Sequence, residues 1–163
     1  MNVDMEQMDS LFKLTHNIPK IELHAHIGGC YRPQTFMDLC LQKNLDIDHI
    51  DFYNVNIATA FEIFKVGSKL ITDAATLRRV TTEIIEDYAK QNTRYLELRS
   101  TPKSVGAIST KEEYINIVLE AMSEMEKQIP SMKVAYLVSI NRAHTDADAK
   151  EAIDLLIKVK AES

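Results

Sequence analysis

Apolar residues in this chain recur at two spacings, one typical of helices and one typical of short buried strands. Three apolar-rich runs of strand length cover residues 21–27, 93–100 and 133–140. Between and around them, apolar residues three and four positions apart predict helices that begin near residues 5, 33, 57, 74, 111 and 145. This alternation of strand and helix predicts right-handed crossovers and a parallel sheet, which is an α/β fold.

Two of the predicted helices carry a specific expectation about packing. Their apolar positions recur at helical spacing, so each helix is expected to bury one side against the rest of the domain. The residues expected on the buried sides are Met5, Met8, Leu11 and Phe12 in the first helix and Ala152, Ile153 and Leu156 in the last. The helix that begins near residue 74 is expected to be capped by Thr72 or Asp73.

The second predicted strand places polar side chains on one face, namely Tyr95, Glu97 and Arg99. Two interpretations are equally open. The polar face is either a layer inside a closed barrel, or the solvent side of a strand at the edge of the sheet.

The first predicted strand carries two histidines at a spacing of two. Because side chains alternate along a strand, His24 and His26 are expected on one face, together with Glu22. Two imidazole nitrogens on one face can bind one metal ion, and Gly28 and Gly29 leave the space above them open. The structural alternative is a pair held by ordinary hydrogen bonds, since His-x-His alone has a high false-positive rate. Its position favours the metal, because parallel barrels place their chemistry at strand ends.

Composition limits the class of protein. The 163 residues suit one domain but are short for a closed eight-fold barrel, which needs roughly 250. A net charge of −5 argues against nucleic acid or an anionic membrane as partner. Residues 1–10 do not resemble a targeting peptide, and no apolar run reaches membrane-spanning length. Cys30 and Cys40 are therefore interpreted as reduced thiols of a cytoplasmic protein.

Two segments carry a resemblance to a known family. Residues 19–26 (PKIELHAH) resemble the first barrel strand of the adenosine and AMP deaminase superfamily, and residues 95–103 (YLELRSTPK) resemble the second. The LRSTP form of the second is similar to the adenosine deaminase-like branch that acts on N6-methyl-AMP. The resemblance extends over essentially the whole chain. It implies that residues 1–163 are one partial domain, the first three strands and their helices of a metal-dependent (β/α)8 TIM barrel.

The resemblance also implies a function, the zinc-dependent hydrolytic deamination of a purine nucleotide, N6-methyl-AMP to IMP. One Zn²⁺ ion would be held in part by His24 and His26. The residues expected to border the nucleotide are His26, Ser68, Ser100, Thr101, Pro102, Lys103 and Asn141. The complete enzyme is expected to be a monomer.

The departures from the family pattern are equally specific. The catalytic glutamate and histidine of the family are expected beyond residue 163, so the chain by itself is expected to be inactive and to hold zinc poorly. A partial gene model, an expression fragment and a natural truncation are all compatible with this pattern. Gly28 stands where adenosine deaminases usually have aspartate and the N6-methyl-AMP branch has asparagine. Two alternatives stay open, an adenosine deaminase and a non-catalytic α/β binding module.

Overall fold

The computed structural model describes residues 5–143 and 145–162, with side chains described for residues 8–143 and 145–161. The helices are α1 (Met5–Asn17), α2 (Pro33–Gln42), α3 (Ile57–Gly67), α4 (Ala74–Lys90), α5 (Lys111–Gln128) and α6 (Asp146–Glu162). The strands are β1 (Lys20–His26), β2 (Thr93–Ser100) and β3 (Lys133–Val138), and a single 3₁₀ turn, Ile27–Gly29, follows β1.

The three strands form one parallel sheet in the order β1-β2-β3. The predicted α/β fold with a parallel sheet is confirmed. Because β2 lies between the other two strands, it is not an edge strand. The interpretation of its polar face as the solvent side of an edge strand is therefore wrong. Among the described residues, β1 and β3 each have one side without a partner strand.

The core lies between one face of the sheet and the helices α2, α4 and α5. Leu96 and Leu98 of β2 are completely buried on this face. The stripe predicted for α5 is confirmed, since its members are all buried: Tyr114, Ile117, Val118, Ala121, Met122 and Met125. At about 1.5–3 kcal/mol for each fully buried large apolar side chain, these stripes supply most of the driving force that holds the helices on the sheet.

Side-chain caps define where two of the core helices begin. The Asp73 carboxylate accepts the backbone N–H of Thr76 at 2.8 Å, as expected for the cap of α4. At α5 the hydroxyl of Thr110 accepts the backbone N–H of Glu113 at 3.0 Å. Both starts follow from the sequence, because each cap satisfies an N–H group that the first turn leaves without a helical partner.

The packing expected of α1 is wrong. Met8, Leu11 and Phe12 have exposed fractions of 52%, 59% and 68%, and no described element covers them. The side chain of Met5 lies outside the described residues. Amphipathic spacing predicted the helix correctly but could not show that a neighbour exists to cover its apolar side.

The buried side of α6 also differs from the expectation. Ile153 and Leu156 are exposed, whereas Val159 is buried and Leu155 and Ala152 are half-buried. Three ion pairs join this helix to the start of α5. Lys111 Nζ lies 2.6 Å from Glu151 Oε2 and 3.6 Å from Asp148 Oδ1, and Lys158 Nζ lies 2.6 Å from Glu112 Oε1.

Candidate metal and nucleotide site

The two histidines of β1 converge at the carboxyl end of the strand. Their Nε2 atoms are 3.1 Å apart, and their ring centroids are 5.0 Å apart with an interplanar angle of 42°. Zinc binds imidazole nitrogen at about 2.0–2.1 Å, so nitrogens 3.1 Å apart fit one ion with an N–Zn–N angle of about 100°. That angle is close to the tetrahedral value, and the pair therefore fits as half of a four-coordinate zinc site.

The protonation state of His26 also suits a metal. The pKa of His26 is lowered, first by burial and then by the positive charges of His24 and Arg99. A lowered pKa keeps the imidazole neutral over more of the pH range, and the neutral form is the one that binds metal. Within residues 5–143 and 145–162, no three His, Cys, Asp or Glu side chains are grouped so that they could hold a metal ion. His24 and His26 are therefore the two candidate ligands in the described part of the chain, and their binding of a metal stays a prediction.

The strand register corrects the expected position of Glu22. Glu22 pairs with Leu96 and Ala25 pairs with Leu98, so β1 has one more residue than β2 between these pairs. This β-bulge interrupts the alternation of faces. Glu22 lies beside Leu96 on the core side of the sheet, near Tyr88 on α4, whose pKa is raised first by burial and then by the charges of Cys30 and Glu22. The prediction that Glu22 shares the face of both histidines is wrong, because it assumed a regular strand.

An open cavity of about 420 Å³ lies beside the two imidazoles. Its lining residues are His24, His26, Gly28, Gly29, Cys30 and Phe64. A Cβ atom built on Gly28 would meet no heavy atom within 4 Å, so the expected open space next to the pair is present. The thiol of Cys30 is half-buried in this wall, and burial raises its pKa. Cys30 and Cys40 are both free thiols.

A second, larger cavity of about 660 Å³ shares Gly28, Gly29 and Phe64 with the first. Its other walls are mainly aromatic: Tyr31, Phe36, Phe52 and Tyr53. Sequence reasoning missed this aromatic surface. Phe52 and Tyr53 lie in an acidic loop without periodicity, so no local pattern shows that the loop folds back over α2.

Two residues predicted to border the nucleotide are brought together, Ser68 and Lys103. The ammonium group of Lys103 donates to the backbone carbonyl of Ser68 at 3.0 Å, and the Ser68 hydroxyl donates to the carbonyl of Lys65 at 2.8 Å. Burial lowers the pKa of Lys103. Among the described residues, no carboxylate lies within ion-pair distance of this ammonium group, which leaves its charge available to an anion.

Apart from His26, none of the predicted nucleotide contacts lines the cavity of the histidines, Ser68 and Lys103 included. The buried Ser100 hydroxyl is 2.7 Å from the Tyr136 hydroxyl, on the core side of β2. Thr101 and Pro102 line a separate void of about 10 Å³, which has room for roughly one water molecule. The exposed Asn141 accepts the backbone N–H of Ala143 at 2.9 Å. These four positions stay predictions as nucleotide contacts.

With this geometry in place, the chain can be compared with known proteins. The family model for adenosine deaminase matches residues 19–163. The chain belongs to the adenosine deaminase family. The N6-methyl-AMP deaminase-L of Xenopus laevis is 33% identical over 145 residues, which are 85% of this chain and 42% of that protein. The resemblance to the adenosine deaminase-like branch is confirmed.

Solved structures support the same fold. Arabidopsis ADAL, solved with GMP and with IMP, superposes with TM-scores of 0.77 and 0.72 at 31% and 30% identity. In both cases the match covers 91% of this chain and 48% of ADAL. An amidohydrolase from Burkholderia ambifaria, solved with bound Zn, is 21% identical and superposes with a TM-score of 0.76. That match covers 97% of this chain and 45% of the amidohydrolase.

This member of the adenosine deaminase family spans less than half the length of the relatives it matches. Its sheet and helices are the N-terminal part of their barrel, as predicted. None of the described helices, which exclude residues 1–4, 144 and 163, is both long and apolar enough to span a lipid bilayer.

Proposed function

We propose that this chain is the N-terminal portion of a zinc-dependent deaminase that hydrolyses a 6-(methyl)aminopurine nucleotide, N6-methyl-AMP to IMP. The observation that carries the proposal is the convergence of the two imidazole nitrogens, 3.1 Å apart, at the carboxyl end of β1 in an adenosine deaminase-family fold. The proposal places residues 1–163 in one barrel domain of a cytoplasmic, monomeric enzyme. It also places the catalytic glutamate and histidine in a segment outside these 163 residues.

In this proposal His24 and His26 supply two neutral nitrogen ligands to a single Zn²⁺ ion. When bound, zinc supplies Lewis-acid activation of water at neutral pH, which the displacement of an amino group from a purine requires. The two histidines fix where that chemistry takes place. The open space beside Gly28 and the aromatic walls of the larger cavity leave room for a flat heterocycle next to the pair.

The choice of a nucleotide over a nucleoside rests on charge. At Gly28 this chain has no carboxylate, so a 5′-phosphate near this position meets no negative charge from that residue. The Lys103 ammonium is half-buried and has only a carbonyl partner among its described contacts. A phosphate oxygen can accept a hydrogen bond from such a group, and a charged acceptor makes that bond stronger than a carbonyl does. GMP and IMP, the ligands of the ADAL structures, are both 5′-monophosphates.

The first test is zinc content and turnover. The 163-residue chain is expected to bind zinc weakly and to show no deaminase activity, because it supplies only half of a four-coordinate site. The reading frame beyond Ser163 is expected to encode a further strand followed by a histidine and a glutamate. An enzyme that includes this segment should bind zinc stoichiometrically, and His24→Ala or His26→Ala should remove most of the zinc and nearly all activity. Normal zinc and turnover in His24→Ala would contradict the proposal.

The second test compares substrates. With the enzyme that includes the downstream segment, kcat/KM is measured for N6-methyl-AMP, AMP and adenosine. We expect N6-methyl-AMP to be best, and Lys103→Ala to raise KM for the nucleotides more than for adenosine. Lys69→Ala is the matched control, because Lys69 is an exposed lysine in the same loop as Ser68. If adenosine is the best of the three substrates, the enzyme is instead an adenosine deaminase.

A further inference from the structure

The convergence of His24 and His26 is more than their spacing of two explains. In a regular strand, residues i and i+2 are about 6.6 Å apart along the chain, and their side chains stand roughly parallel. The imidazole centroids are only 5.0 Å apart and the Nε2 atoms 3.1 Å apart. The two nitrogens lie within hydrogen-bond distance of each other, and a local feature of β1 sets the direction of the His24 side chain.

That feature is the β-bulge between Glu22 and Ala25, which contains Leu23 and His24. A bulge removes backbone groups from the ladder and changes the direction of the side chain it carries. Two of the backbone groups inside this bulge are bound by side chains instead. The Glu22 carboxylate accepts the backbone N–H of His24 at 2.7 Å, and the Arg99 guanidinium donates to the backbone carbonyl of Leu23 at 2.5 Å.

Arg99 is well placed to hold this geometry. It pairs with His26 in the strand register, so its side chain lies on the histidine face of the sheet. The guanidinium also lies 3.9 Å from the Glu97 carboxylate, which in turn accepts the Tyr95 hydroxyl at 3.0 Å. The arginine is thus oriented from its own strand while it reaches across to the bulge of β1.

We propose that Arg99 and Glu22 are positioning residues of the metal site, which hold the bulge in β1 so that the His24 and His26 nitrogens converge. Neither side chain is a metal ligand in this proposal. Both act through the backbone of residues 23 and 24. The proposal rests on the proposed metal site for its consequence, but the convergence itself is a property of the chain without metal.

The test uses the 163-residue chain and two readouts. The first, without metal, is the nuclear Overhauser effect between the ring protons of His24 and His26. The second is the Kd for Zn²⁺, from imidazole shifts during titration. Arg99→Met removes the donors but keeps most of the length of the side chain. It is expected to abolish the ring-to-ring effect and to weaken zinc binding about 10- to 100-fold, the range typical for residues that orient metal ligands.

Matched variants separate positioning from general stability. Arg94→Met is the control, because Arg94 is also on β2 and also donates to a backbone carbonyl, that of Ser131 at 3.4 Å, away from the histidines. Arg99→Lys keeps one charged donor, so its ring-to-ring effect and its Kd for Zn²⁺ should lie between those of Arg99→Met and of the parent chain. Glu22→Met is a second, independent disruption, whereas Glu22→Gln keeps an acceptor oxygen for the His24 N–H and should retain the convergence.

The outcomes test the positioning role separately from the proposed metal site. If Arg99→Met, or Glu22→Met should Arg99→Met fail to fold, keeps the ring-to-ring effect and the parent Kd, the inference is wrong. It is also wrong if Arg94→Met weakens the ring-to-ring effect and zinc binding as much as Arg99→Met does. The same holds if the parent chain shows no ring-to-ring effect. If the parent chain shows the effect but binds zinc too weakly for a Kd, as half of a four-coordinate site can, the ring contacts alone decide the positioning role. The proposed function is refuted only by its own test, the zinc content and turnover of the enzyme that includes the downstream segment.

Discussion

Charge at Gly28 is expected to set the preference between nucleotide and nucleoside. The perturbation is a pair of variants, Gly28→Asp and Gly28→Asn, which differ in charge and hardly at all in shape. A Cβ at this position meets no heavy atom within 4 Å, and the backbone is outside the left-handed region that favours glycine. Both variants should therefore fold as well as the parent chain, so a difference in ligand binding between them reports the charge.

The magnitude follows from the size of the cavity. A volume of about 420 Å³ corresponds to a span of about 8 Å between Gly28 and a phosphate on the far side. For a phosphate of charge about −2 and an effective dielectric constant of about 40, Coulomb's law gives a repulsion of about 2 kcal/mol. This corresponds to a loss of about 30-fold in affinity for the nucleotide. A nucleoside, which has an uncharged hydroxyl in place of the phosphate, would lose no comparable affinity.

The assay measures Kd for IMP and for inosine, which differ only in the phosphate, with zinc present at a fixed concentration. The ratio of the two Kd values within each variant cancels any change in zinc affinity that an added carboxylate near His24 and His26 causes. We expect the ratio of Gly28→Asn to resemble that of the parent chain, and that of Gly28→Asp to shift about 30-fold toward inosine. Equal ratios in the two variants would refute the reasoning, since the phosphate would then lie too far from Gly28 to sense a charge there.

Three further predictions concern stability, each measured by urea unfolding. Ser100→Ala should cost about 1–3 kcal/mol, because it leaves the buried Tyr136 hydroxyl without that partner; unchanged stability with weaker nucleotide binding would favour a substrate contact instead. Gly106→Ala should cost about 3 kcal/mol or more, since φ is +57° and the new Cβ would lie 2.2 Å from the Thr72 carbonyl oxygen; a variant as stable as the parent would contradict this. Asp73→Ala should cost about 1 kcal/mol at pH 7. Bonding to the helix N–H lowers the pKa of Asp73, so this difference should persist above about pH 4, the unfolded-state pKa, and shrink at lower pH; a constant difference would exclude the charged cap.

The parts of the fold that sequence predicted are those set by local periodicity and local caps. The stripe of α5 and the Asp73 cap depend on residues three or four positions apart, so they can be recognised without knowing what packs on them. β2 was predicted with the bounds that the structure has, Thr93–Ser100, because its alternation is regular. The exposed side of α1 was not predictable in this way, since burial depends on a neighbouring element and periodicity reports only the helix.

At the candidate site, the common face of the two histidines was predicted, whereas the aromatic surroundings of the pair were missed. His24 and His26 lie on one strand, so alternation predicted their common face, whereas their convergence also involves the bulge at His24. The aromatic cavity required Phe52 and Tyr53 to fold back from an irregular loop, and such long-range contacts leave no spacing in the sequence. Ser100 was expected at the nucleotide from the family resemblance of residues 95–103, and this stays a prediction. In the structure its hydroxyl is 2.7 Å from that of Tyr136, a residue 36 positions later.

The bulge in β1 shows why His-x-His alone is a weak signal for a metal site. Alternation places two histidines on one face with their backbone positions about 6.6 Å apart, so whether their nitrogens converge depends on the direction of each side chain. Here the strand departs from regularity at His24, and the departure involves Glu22 on the same strand and Arg99 on the next. It follows that Glu-x-His-x-His, with an arginine paired to the second histidine in the adjacent parallel strand, is the more specific pattern. In the proposed metal site the histidines are the ligands, whereas the glutamate and the arginine hold the backbone so that those ligands can meet on one ion.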